Sequence, residues 1–220
     1  MNVTYETVKN NPEIRSYIAR ADASLLSLGY TEHSFGHVTK CAVVASDLLE
    51  ALGYDERERE LAKIAAFMHD IGNVINRNDH AQSGALMAFR LLDKLGMESG
   101  DLAEVITAIG YHDDKTAYPV NAIAAALLLA DKTDVRRSRV RNKDTITFDI
   151  HDRVNYAVEH SETKLDPAAK TFTLALSINT EVCAVMDYFE IFLQRMLLCR
   201  KAAEFFGLKF KLDINGLTLL

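Results

Sequence analysis

The chain has 220 residues, 49% hydrophobic and 25% charged, which suits one well-packed domain, or a domain with a small appendage, and excludes a chain dominated by disorder. Its net charge of −6 argues against a general nucleic-acid coat. The longest purely apolar run, Ala122 to Ala130, is too short to span a bilayer, and the N-terminal segment MNVTYETVKNNPEIR lacks the basic and apolar regions of a secretory signal. Cys41, Cys183 and Cys199 form no CxxC pair, so they read as reduced thiols of a cytoplasmic protein.

Residues up to about 145 predict consecutive helices. Asn11 is a plausible N-cap, Pro12 fits the first helical position, and Gly29 can close that helix. A second helix is expected from about Ser34 to Leu52, with Val38, Cys41, Ala45 and Leu48 on one face and Gly53 as its stop. Asp55 can cap a third, Glu56 to about His69. Asp79 opens a fourth that ends near Gly96, and a fifth covers roughly Gly100 to Tyr111. After Pro119 comes a sixth, VNAIAAALLLADKTD, apolar enough to be buried on most sides.

The stretch Lys132 to Lys143, KTDVRRSRVRNK, carries a local charge of +5 (six bases, one acid), which leaves −11 for the remainder. A small basic patch on an acidic body suits a compact phosphorylated ligand better than a long polyanion. Its plainer reading is a solvated turn. Beyond it the period changes. Val154, Tyr156 and Val158 alternate with polar residues, as do Phe172, Leu174, Leu176 and Ile178, which predicts half-buried strands. A long amphipathic helix from about Thr180 to Phe206 follows, and LKFKLDING alternates again. The expected organisation is therefore a mostly α chain. Residues 1–145 form a helical domain, and residues 146–220 a small α+β subdomain with three antiparallel strands and one long helix. That helix has apolar residues on several sides, so part of it is expected to pack on the helical domain or on a second subunit of a homodimer.

Five of the seven histidines fall between residues 33 and 112. His33 and His37 are four apart on one helical face, His69 and Asp70 are adjacent at a helix end, His80 opens a helix and His112 closes one. Asp131 lies late in the apolar sixth helix. Imidazole and carboxylate donors suit Mn, Fe, Zn or Co, whereas Mg or Ca alone would favour oxygen ligands. A single histidine at a helix end is more often a cap partner than a ligand. The weight lies in the ordered set.

That order, His … His-Asp … Asp on a helical bundle, resembles the HD superfamily of metal-dependent phosphohydrolases, HDIG type. FMHDIGN at 67–73 is similar to the family's central motif, EHSFGHVTKCAVVA at 32–45 to its first helix, and LLLADKTD at 127–134 to the helix bearing its last aspartate. The resemblance implies that His37, His69, Asp70 and Asp131 hold one divalent metal (Fe, Mn, Zn, Co or Mg). It further implies that His80 and His112, in DHAQSGA and IGYHDD, hold a second with Asp70 bridging; the alternative is that they contact phosphate oxygens as donors. His33 occupies a position that binds metal in some two-metal relatives.

Two subgroups fit poorly. Cyclic-di-GMP phosphodiesterases of the HD-GYP group carry glycines and two more residues where this chain has YHDDKTAYP, and stringent-response hydrolases carry acids where Gly72 and Asn73 stand. The chain is more similar to small bacterial HD hydrolases, including those that cleave symmetric dinucleoside tetraphosphates. Asn73 replaces the lysine common after HDIG, so a phosphate-binding group is missing or supplied elsewhere.

The implied activity is hydrolysis of a small phosphorylated substrate, a nucleotide above others. The metal would acidify a bound water from a pKa of about 15.7 towards about 7. Asp70 and His69 are the expected catalytic residues, and Lys132, Arg136, Arg137 and Lys115 the substrate-binding cations. Asp113 and Asp114 could orient His112 or cap its helix. The alternatives are a regulatory module that binds metal or nucleotide without turnover, and a di-iron HD oxygenase.

Overall fold

A computed structural model describes residues 3–141 and 150–219. The end of the basic stretch (residues 142 and 143) and the expected 145/146 boundary lie outside those residues. The helices are α1 (Tyr5–Lys9), α2 (Pro12–Ser27), α3 (Phe35–Ala51), α4 (Glu56–Met68), α5 (His80–Lys94), α6 (Ser99–Gly110), α7 (Ala122–Lys132), α8 (Ile150–Ala157) and α9 (Val185–Phe205). The strands are β1 (Val158–Asp166), β2 (Thr171–Ile178), β3 (Lys209–Ile214) and β4 (Leu217–Thr218). Among the described residues no helix is long and apolar enough to cross a membrane.

The expected punctuation forms as local chemistry dictates. Asn11 accepts from the backbone N–H groups of Glu13 and Ile14, and Asp55 and Glu58 make a reciprocal capping box at the start of α4. Every residue of α7 from Ile123 to Ala130 is buried. The helix packs against α3, α4 and α6 on one side and against α9 on the other. One apolar core therefore runs from Val8 in the first helix to Leu212 in the third strand. Part of the apolar excess on α9 is covered by α7 and β3, with Tyr188, Phe192, Met196 and Cys199 buried, while Met186, Leu193 and Phe205 remain exposed.

The C-terminal part corrects two expectations. Residues 150–157, read as a strand from Val154, Tyr156 and Val158, form α8. Within α8, Val154 and Ala157 are buried three apart while Tyr156 is only half-buried, so the alternation was incidental to a helical period, and Val158 opens β1. The sheet also holds four strands in the order β1-β2-β3-β4, not three antiparallel ones. β1 and β2 form an antiparallel hairpin, but β2 and β3 are parallel, with Phe172 opposite Phe210 and Leu174 opposite Leu212. A long connecting helix returns the chain to the same end of the sheet, so the strands it joins run the same way. Asn215 and Gly216, at φ 52° and 81°, make the two-residue turn into β4.

Candidate metal centre

The third helix places the first histidine. Ser34 precedes α3 but its hydroxyl makes no capping bond; Glu32 reaches over instead, accepting from the N–H groups of Ser34 at 2.8 Å and His37 at 3.3 Å. His37 is thereby fixed one turn into α3, fully buried. His69 follows the last residue of α4, and Asp70 sits between it and a 3-10 turn at Ile71–Val74. Gly72 in that turn lets the start of α5 come close. A Cβ there would stand 2.0 Å from the His80 carbonyl oxygen and 2.5 Å from the Gly84 nitrogen. No other residue fits, and this approach is what sets His80 beside Asp70.

All five expected histidines spend Nδ1 on an acceptor. His69, His112, His80 and His33 donate to the carbonyls of Ala66 (2.7 Å), Ile109 (2.6 Å), Arg77 (3.0 Å) and Thr31 (2.6 Å). His37 donates to Asp134 Oδ2 at 2.8 Å. A carbonyl cannot donate, so the proton stays on Nδ1 and Nε2 carries a lone pair. This is the arrangement that orients a histidine as a ligand.

The Nε2 atoms converge on carboxylates. His37 Nε2 lies 3.3 Å from Asp131 Oδ1 and 3.8 Å from Asp70 Oδ2; His69 Nε2 lies 3.2 Å from Asp70 Oδ2 and 3.8 Å from Asp131 Oδ1. The other oxygen of Asp70 faces the second pair, with Oδ1 3.5 Å from His80 Nε2 and 3.8 Å from His112 Nε2. Donors around one cation with bonds of about 2.1 Å stand roughly 3.0–3.5 Å apart. Two further observations fit a cation. His69 Nε2 is buried without a hydrogen-bond partner. The Nε2 atoms of His80 and His112 face each other at 3.1 Å, lone pair to lone pair. The donor sets His37–His69–Asp70, His37–Cys41–Asp131 and Asp70–His80–His112 could each hold a metal ion. His33 belongs to none of them; it stands beside His37, ring centroids 5.5 Å apart, and lines the space in front of the site.

The electrostatics match. Burial would raise the Asp70 carboxyl, but His69 and His112 outweigh it and hold it well below the usual carboxylate range. Asp131 is likewise pushed up by burial and held well below that range by Lys132, His37 and His69. Burial lowers His69, yet Asp70 and Asp131 raise it past its ordinary value, an attraction that a metal ion would take over. His80 is lowered to about 4, by burial first and then by His112 and Arg77 against the pull of Asp70.

The expected cations divide. Lys132 is buried, its ammonium 2.7 Å from both Asp131 Oδ2 and Asp114 Oδ1. Arg136 pairs with Asp134 at 2.8 Å and Glu32 at 3.4 Å. Arg137 donates to the Tyr156 carbonyl at 2.6 Å and packs on the Tyr156 ring, away from the centre. Lys115 lines a cavity of about 530 Å³ in front of the centre. Asp113 stands 4.0 Å from His80 rather than against His112, and Asp114 pairs with Lys132 and Arg195.

Sequence reasoning missed five residues. Asp134 orients His37. Asn73 donates to Asp70 Oδ1 at 2.9 Å, so the position that departs from the common lysine steadies a candidate ligand. Arg77, Arg139 and Arg195 line both the cavity and a space of about 20 Å³ among the ligands, enough for a single ion or water. Arg77 Nη1 lies 3.2 Å from His80 Nε2, and Arg139 donates to the carbonyls of Glu32 and Asp134. Arg77 also donates to Asn73 Oδ1 at 3.3 Å, across a turn that is not α-helical and whose shape no periodicity in the sequence reports.

The HD domain family model matches residues 34–190, and the chain belongs to that family. The chain is similar to ribonuclease Y of Cutibacterium acnes, 28% identical over 149 residues, which cover 66% of this chain and 25% of that protein. It is similar to ribonuclease Y of Malacoplasma penetrans, 31% identical over 115 residues, or 51% of this chain and 22% of that one. Ribonuclease Y of Deinococcus radiodurans is 30% identical over 120 residues, 51% and 19% of the two chains. The chain thus spans a quarter or less of the length of these relatives. No solved structure matches it. Membership of the HD family, together with the His/Asp clusters, suggests a metal-dependent hydrolase.

Proposed function

We propose that the chain is a two-metal phosphohydrolase that cleaves a phosphoester or phosphoanhydride of a small phosphorylated substrate, a nucleotide above others. The observation that carries this reading is the divided carboxylate of Asp70, one oxygen towards His37 and His69 and the other towards His80 and His112. His37, His69, Asp70 and Asp131 would hold one ion, and Asp70, His80 and His112 a second. Bound there, divalent cations supply an acidified water and neutralise the charge that develops on phosphorus.

The chain's own groups do the rest. Asn73 fixes Asp70 through its carboxylate and its carbonyl, each at 2.9 Å. Arg77 and Arg139 stand at the junction of the small space and the cavity, where a guanidinium fork suits two phosphate oxygens. Arg139 keeps its place because two backbone carbonyls hold it. Burial and Arg139 lower His33 well below its ordinary value, so it faces the cavity as a neutral acceptor for a substrate hydroxyl or amino group. The cavity is of the size that takes one small ligand.

The test is hydrolysis of a panel of mononucleotides, dinucleoside polyphosphates and an RNA oligonucleotide by protein loaded with Mn or Fe. The reading predicts metal-dependent release of phosphate or nucleotide, fastest on a small substrate. Oxygen consumption without phosphorus chemistry would replace it with the oxygenase reading, and preference for the oligonucleotide would replace it with the activity the relatives' name describes.

A further inference from the structure

The cavity is walled from two ends of the chain. On one side stand the loop before α3, with Tyr30 and His33, and the turn at Arg77; on the other stand Phe192 and Arg195 of α9. Arg195 also lines the small space among the metal ligands, although it is 125 positions from Asp70. Its Nε is held by Asp114 Oδ2 at 3.3 Å, and its guanidinium lies 5.0 Å from the centroid of the Phe192 ring. Asp114 is in turn bound to Lys132, which is bound to Asp131. Phe192 is buried and Arg195 is not, so the ring forms a fixed base for a partly open cation. Among the described residues the Nε bond is the one hydrogen bond this side chain makes, and both terminal nitrogens are unspent.

We propose that Arg195 is a specificity-determining residue through which the long C-terminal helix contacts the phosphate of the substrate, so that α9 completes the active centre rather than merely supporting α7. This rests on the phosphohydrolase reading. A cation braced by one carboxylate and one ring, with its terminal nitrogens unspent and its side chain lining the reaction space, is prepared for an anion. Charge alone supports the direction. Asp113 also lines the cavity and would repel a phosphate, so each guanidinium at the junction matters for entry.

The experiment compares manganese-loaded wild type with Arg195→Ala and Arg195→Lys, reading inorganic phosphate and AMP binding by calorimetry, the KM and kcat of the best mononucleotide, metal content and melting temperature. A charge-assisted contact of this kind predicts roughly 10- to 100-fold weaker binding and higher KM in Arg195→Ala, with partial rescue in Arg195→Lys and unchanged metal content. A purely structural Arg195 would lower the melting temperature and kcat while leaving phosphate affinity and KM in place, and that result overturns the inference. If wild type binds neither phosphate nor AMP and hydrolyses nothing on the panel, the proposed function fails and takes the inference with it. If wild type binds and Arg195→Ala binds equally well, only the inference fails.

Discussion

Asp134 Oδ2 accepts the Nδ1 proton of His37 at 2.8 Å, 97 residues away in the chain and 1% exposed at its side chain. The same carboxylate meets Lys40 at 2.9 Å and Arg136 at 2.8 Å, with Arg139 at 3.7 Å. Burial would raise it, but His37 and Arg139 hold it far below the usual carboxylate range. It stays charged, and it turns the His37 ring so that Nε2 faces Asp131.

Replacing Asp134 by Asn keeps the shape and removes the charge. Partners of this kind typically contribute 10- to 100-fold to metal affinity, so Asp134→Asn should weaken Mn binding by roughly that factor in calorimetry. Unchanged affinity would mean that helix α3 alone fixes His37.

The approach of the Ile71–Val74 turn to α5 should be intolerant of any side chain at Gly72. With a backbone oxygen 2.0 Å from the added Cβ, Gly72→Ala should cost about 3 kcal/mol or more in urea denaturation. At Gly84 the nearest atoms are 3.3 Å away, so Gly84→Ala should cost clearly less. The reverse order would mean that the turn and α5 do not meet as described.

Acid should loosen the metal-free protein through His80. An unfolded histidine titrates near 6.5, whereas folded His80 is lowered to about 4, so between those values the unfolded chain holds the additional proton. Stability should therefore fall as pH drops from about 6.5 to about 4. His69, raised in the fold, acts in the opposite sense: its contribution is complete below its ordinary value and fades as pH rises. The depressed Asp70 and Asp131 add stability that persists above the carboxylate range and is lost on further acidification. His80→Gln should flatten the dependence across the His80 window, as read by denaturant midpoints in chelator. An identical slope in both proteins would contradict the neutral His80.

Much of this was legible in the residues, because caps, helical period and the HD motif are local signals. Asn11, Asp55, Gly53 and the buried run of α7 each declared themselves over a few positions. Asp134, Arg139 and Arg195 did not, since each matters through a contact made across the fold; Arg77 reaches Asn73 and His80 nearby in the chain, but through a turn without a regular period. Asp134 even lay within a quoted motif, but nothing local links it to His37. Arg136 and Arg137 illustrate the converse: their charge was visible, while only packing shows that Asp134, Glu32 and the Tyr156 carbonyl engage them. The strand expected from Val154 was misread because a short apolar alternation is compatible with a helix that buries Val154 and Ala157; of these positions only Val158 enters a strand. The parallel pairing of β2 with β3 depends on where α9 delivers the chain, which no window of sequence reports.

The central claim is that Asp70 joins two metal sites. Metal content measured after loading with Mn and desalting tests it most directly in wild type, His112→Ala and Asp70→Ala, with circular dichroism to establish that each variant is folded. The account predicts about two equivalents in wild type, about one in His112→Ala and essentially none in Asp70→Ala. One equivalent in wild type that survives in His112→Ala would contradict it.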